Sequence, residues 1–144
     1  MNKALPADPA DLVHGPLLRW AREHPDWPAI IQDAHGSHAR QLDFGQLLAS
    51  VKERGAAPTG RPLGNNVLLT STADPLALLI DFLAVIRTGR CAAVADPDWP
   101  AEVHARMESA LRDLGDPLPD PCPPPTPETP FYIGFTSGST GLPK

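Results

Sequence analysis

Two short apolar runs, Asn66-Val67-Leu68-Leu69-Thr70 and Cys91-Ala92-Ala93-Val94-Ala95, are separated by a stretch patterned as a helix. Each run has the length of a buried strand. A tight turn cannot join them, so the pair reads as parallel strands linked by a crossover helix. Asp74-Pro75 supplies an N-cap acceptor followed by a proline suited to the first helical position. Residues 76–87 are then apolar nearly all round and stop at Gly89, which predicts a core helix. Trp99-Pro100 opens a further helix over 101–114, stopped by Gly115, and Phe131-Tyr132-Ile133-Gly134-Phe135 is the last strand. The alternation predicts an α/β fold, a layered sheet with parallel strands and crossover helices.

The first half is read from its caps and turns. Asp8-Pro9, with Asp11 in the first turn, predicts a helix whose apolar face is Leu12, Val13, Leu17 and Trp20 and which ends at Pro25. Ala29-Ile30-Ile31 and Ala39-Arg40-Gln41-Leu42 flank His35-Gly36-Ser37 as a short hairpin. Asp43 with Gln46 three residues on predicts a capping box, opening a helix that runs to Arg54 and is closed by Gly55. Residues 55–64 are read as a loop. The 19 prolines gather at element borders and in 116–130, which cannot form helix or inner strand. That segment is expected to be a stiff, extended connector rather than a proline-rich recognition motif. The expected organisation is an N-terminal α/β subdomain over 1–115, the connector over 116–130, and a strand plus loop over 131–144 in a domain that continues beyond 144.

Several functions are disfavoured. A net charge of −5 argues against a nucleic-acid partner. Cys91 and Cys122 lie far apart without metal-ligand spacing, and are read as one buried thiol and one in a loop. The N-terminus has no basic region leading into an apolar stretch, and the run 76–86 is too short to span a bilayer and contains Asp81. A cytoplasmic protein is expected. His35 and His38 are read as a solvated hairpin tip, and Asp96, Asp98 and Glu102 as a turn and helix start rather than a metal site. Trp20, Trp27 and Trp99 are read as packing residues.

The chemistry is concentrated in Thr136-Ser137-Gly138-Ser139-Thr140-Gly141-Leu142-Pro143-Lys144, directly after the last strand. Gly138 and Gly141 lack Cβ groups, so backbone N–H groups there can turn toward an anion. Thr136, Ser137, Ser139 and Thr140 add hydroxyl donors, and Lys144 adds a flexible positive charge. This is a polyphosphate clasp, but not a Walker A loop. In that motif the lysine follows the last glycine directly. Here Leu142 and Pro143 intervene, and Pro143 disfavours helical conformation at Leu142.

With Phe135 ahead of it, this run resembles the phosphate-loop motif of the adenylate-forming superfamily, which includes acyl- and aryl-CoA synthetases and nonribosomal peptide synthetase adenylation domains. The family pattern Thr-Ser-Gly-Ser/Thr-Thr-Gly-x-Pro-Lys-Gly is matched through Lys144. The segments 41–55, 67–70 and 76–87, then Gly89 and a strand ending in Asp96-Pro97, resemble more loosely the opening of the family's large N-terminal domain. Residues 115–130 depart from the pattern, being short where members often carry another strand and helix.

The resemblance implies an ATP- and Mg2+-dependent ligase that activates a carboxylic acid as an acyl-adenylate. Thioester formation with coenzyme A or a carrier-protein phosphopantetheine would follow. Thr136, Ser137, Gly138, Ser139, Thr140, Gly141 and Lys144 would hold the ATP β- and γ-phosphates. In the family, the adenine, magnesium and ribose motifs and the catalytic lysine lie downstream of this loop. Residues 1–144 alone are therefore expected to be inactive and to depend on a C-terminal polypeptide, and no catalytic residue is assigned among them. The alternative reading is a non-catalytic or split-protein homologue acting as a binding or scaffold partner.

Overall fold

Residues 12–33, 39–56, 60–70, 73–117 and 123–135 are described by the structure, a computed structural model. Helix α1 spans Gly15–Glu23 and opens on Gly15-Pro16. The expected start at Asp8-Pro9 lies outside the described residues. Leu12 and Val13, expected on the helical face, instead form a turn in which the Leu12 carbonyl accepts from Gly15 N (2.8 Å). Pro16 explains the difference, because a proline has no N–H to give a helix interior and is tolerated only in the first turn.

The hairpin forms as expected, from β1 (Pro28–Gln32) and β2 (Arg40–Asp43) in antiparallel register. Its tip, including His35 and His38, lies outside the described residues. Helix α2 (Phe44–Ala56) carries the reciprocal capping box: Gln46 N donates to Asp43 Oδ1 (2.6 Å) and Asp43 N to Gln46 Oε1 (3.1 Å). It runs through Gly55, one residue past the stop that glycine was expected to impose. Leu17, Leu47, Val51 and Ala84 form a core there, with Ile30 and Leu42 of the hairpin packed against it.

The second core belongs to a four-stranded sheet ordered β3-β4-β5-β6. Strand β4 (Asn66–Thr70), helix α3 (Pro75–Arg87), strand β5 (Cys91–Ala95) and helix α4 (Ala101–Leu114) match their predicted positions. β4 pairs with β5 in parallel, and β5 pairs in parallel with β6 (Tyr132–Ile133). Strand β3 (Arg61–Leu63) lies in the expected loop and pairs antiparallel with β4 through a two-residue turn at Gly64-Asn65. Gly64 has φ 65°, a value glycine adopts freely at the first centre of such a turn. Pro62 is compatible with a strand only because β3 is the sheet edge.

Alternation along β4 and β5 sorts their side chains onto two faces. Val67, Leu69 and Ala92 meet Val85 and Ile86 of α3, while Leu68, Ala93 and Ala95 meet Leu111 of α4. The sheet therefore lies between α3 and α4 as the middle of three layers. β6 is shorter than the predicted run 131–135: only Tyr132 and Ile133 pair with β5, and among the described residues β6 is the sheet's other edge. No helix among the described residues is long and apolar enough to cross a membrane.

Candidate functional site

The chain enters the glycine- and hydroxyl-rich loop from β6, so the residues that fix 131–135 fix where that loop begins. Ala92 N donates to the Phe131 carbonyl (2.9 Å), setting the parallel register Ala92–Tyr132 and Ala93–Ile133. Period-2 alternation then sends Tyr132 to the α3 face and Ile133 and Phe135 to the α4 face. Tyr132 meets Phe82 edge to face, with centroids 6.2 Å apart. Phe135 meets Trp99 at 5.3 Å and 79°. Gly134 passes so close to the Tyr132 ring that a Cβ there would stand 3.0 Å from it.

Trp99 is the residue that ties this exit to the rest of the fold. It follows the turn after β5, where Asp98 N donates to Asp96 Oδ1 (2.9 Å) and Trp99 N to the Asp96 carbonyl (3.2 Å). His104, one turn into α4, packs edge-on against the same indole at 5.7 Å. Asp96 is thus engaged in closing a turn, as its sequence context predicts. Among the described residues no group of three or more His, Cys, Asp or Glu is placed to hold a metal ion.

Because β4, β5 and β6 are parallel, their carboxyl ends lie together. The chain leaves Phe135 at that end, where open α/β sheets bind their ligands. The predicted site residues Thr136, Ser137, Gly138, Ser139, Thr140, Gly141 and Lys144 themselves lie outside the described residues, as does Cys122. Cys91 is buried in β5, and burial pushes its thiol pKa up.

Two features of this neighbourhood were not singled out from sequence. An apolar groove of about 410 Å³ runs along the α3 face of β6, lined by Leu78, Leu79, Phe82, Val94, Phe131 and Tyr132. His14 lies buried beneath the segment that leads into β6. Its position immediately before Gly15-Pro16 is the only local clue to that role.

Comparison with protein-family models gives no match. Phosphinothricin tripeptide synthetase PhsC of Streptomyces viridochromogenes is 30% identical over 169 aligned positions, covering 92% of this chain and 15% of the relative. Among solved structures, PA1221, an NRPS protein containing adenylation and PCP domains, superposes with a TM-score of 0.59 at 20% identity, over 98% of this chain and 32% of that one. The fatty acyl-adenylate ligase from L. pneumophila, solved with acyl adenylate and pyrophosphate, gives a TM-score of 0.60 at 16% identity, over 93% and 29%. The chain thus spans 15% of the length of the peptide synthetase and no more than 32% of either solved chain.

Proposed function

We propose, for a chain that has the fold of the N-terminal part of adenylate-forming enzymes and is related to them in sequence, that it contributes the polyphosphate-binding loop of an ATP-dependent ligase activating a carboxylic acid. The observation that carries this reading is the run 136–144, which follows β6 at the carboxyl end of the parallel strands β4, β5 and β6.

In the proposed reaction the carboxylate attacks the ATP α-phosphate, forming the acyl-adenylate as the bond to the β-phosphate breaks and pyrophosphate leaves. Positioning and charge neutralisation of the leaving group are this chain's contribution. Backbone N–H groups at Gly138 and Gly141, with the hydroxyls of Thr136, Ser137, Ser139 and Thr140, donate to the β- and γ-phosphate oxygens. Lys144 offsets their charge. Magnesium accompanies the ATP and supplies further neutralisation. A thiol acceptor, coenzyme A or a carrier-protein phosphopantetheine, takes the acyl group afterwards in a cytoplasmic setting. The remaining groups come from polypeptide outside residues 1–144.

ATP–pyrophosphate exchange tests the reading. A longer chain that includes residues 1–144 is expected to exchange, and Lys144→Ala to lower the rate about ten- to hundredfold, the equivalent of one charge-assisted hydrogen bond. Residues 1–144 alone are expected to give none. Exchange by the isolated chain, or an unaffected Lys144→Ala enzyme, contradicts it.

A further inference from the structure

Segment 123–131 reaches β6 by crossing the start of α1, and His14 is the polar side chain buried there, 6% exposed. A cavity of about 70 Å³ lies between it and the segment, walled by Ile86 on α3 and by Pro125, Thr126, Thr129 and Phe131. The segment is itself closed into a turn: Thr129 N donates to the Thr126 carbonyl (3.0 Å), and Thr126 N to Thr129 Oγ1 (2.8 Å). Two residues on, Phe131 accepts the Ala92 hydrogen bond that seats β6. His14 and the 126–129 turn therefore line one cavity, and the turn leads directly into β6.

The surroundings of His14 suit a neutral imidazole. Its own segment presents Leu12 and Val13, and the 123–131 segment presents proline, threonine and phenylalanine. Glu128 in that turn is exposed and is not part of the lining. Among the described residues, the charge felt there is that of Arg87 at the end of α3. Among the described residues that line the cavity there is no carboxylate to balance an imidazolium. Burial first, and the Arg87 guanidinium second, hold the His14 pKa below its ordinary value of 6.5.

We propose that His14 is a positioning residue whose neutral form seats the 126–129 turn and so holds β6 in the sheet, and whose protonation releases that turn. The device rests on packing among the described residues and is independent of what the loop binds. The sign follows from linkage: a depressed histidine pKa means that the released state binds the proton more readily, so the seated state is favoured above about pH 6.5 and lost as pH falls below it.

Hydrogen exchange at the amides of Ala92, Thr126, Thr129 and Ile133 reads the opening, once corrected for the intrinsic pH dependence of exchange. Between about pH 6.5 and the lower pKa of His14, the opening constant is expected to rise by up to about tenfold per pH unit, the ceiling for one proton. Amides in α2 are expected to stay flat. His14→Gln should abolish the rise, and Arg87→Gln, which raises the pKa of the seated state and leaves that of the released state, should end the rise at a higher pH and make it smaller. A flat profile at these four amides while NMR shows the His14 ring titrating overturns the proposal, as does a His14→Gln protein that keeps the rise. If His14→Gln does not fold, Arg87→Gln decides, and a rise of undiminished size there counts against the device.

Discussion

Asn66 and Gly115 brace one junction from opposite sides. Asn66 Nδ2 donates to the Leu111 carbonyl (2.7 Å), capping the last turn of α4 with a buried side chain from β4. Gly115 passes the β3–β4 turn so closely that an added Cβ would lie 2.5 Å from the Leu63 carbonyl oxygen. Its φ of −91° is open to any residue, so the requirement is for space and not for backbone freedom. Gly115→Ala is therefore expected to destabilise by about 1–3 kcal/mol through overpacking. Asn66→Ala should cost a similar amount by leaving a buried carbonyl unpaired. Because both act on one junction, the double variant should fall short of the sum, which urea unfolding of the four proteins measures. Asp74 gives a second residue-scale outcome. The Arg40 hydrogen bond to its carboxylate (2.8 Å), together with backbone donors at the start of α3, lowers its pKa despite the opposing desolvation. A depressed carboxylate pKa contributes stability above its unfolded value of 3.8 and loses it as pH falls through the folded value. Thermal melts of Asp74→Asn should show a shallower loss than the unsubstituted protein on acidification below about pH 4.

Elements with their information in consecutive residues were legible. The Asp43/Gln46 capping box announces α2 by itself, and both hydrogen bonds form. Asp43→Ala is expected to cost about 1 kcal/mol, and adding Gln46→Ala little more, because the two side chains complete one reciprocal cap. Circular dichroism melts of the single and double variants check this. β4, α3, β5 and α4 were equally readable, since apolar pattern and flanking breakers agree in each, with the Asp74 cap added at α3. Strand β3 was not, because a sequence containing Pro62 becomes a strand only when a neighbour leaves it at the sheet edge. The start of α1 depended on choosing between two prolines, Pro9 and Pro16, either of which suits a first turn. His14 was legible as a residue but not as a buried one, since the segment that covers it lies more than a hundred residues away in sequence. The run 136–144 is the converse case, readable as a motif, whereas no local pattern connects Trp99 and Phe82 to Phe135 and Tyr132, the residues before it that they pack against.

At the scale of the molecule, α3 joins the two cores. Ala84 faces α1 and α2, while Val85 and Ile86 face the sheet. That is why its sequence is apolar nearly all round. What α3 and β6 share on their outer side is left uncovered. Phe131 and Tyr132 remain 42% and 52% exposed beside the 410 Å³ groove, and among the described residues β6 has strand pairing on one side only. Contiguous apolar surface of this kind, next to an open strand edge, binds hydrophobic probes and promotes association. The purified chain is accordingly expected to enhance the fluorescence of an anilinonaphthalene dye at neutral pH while keeping native circular dichroism. Its sedimentation should depend on concentration. Tyr132→Ser combined with Leu78→Gln should reduce both effects without loss of helix signal, because both side chains line the groove and neither is among the buried residues of the core. Dye enhancement unchanged in that variant would move the exposed apolar surface elsewhere, to the Trp27 and Ile31 side of the hairpin, where the two side chains are also more than half exposed.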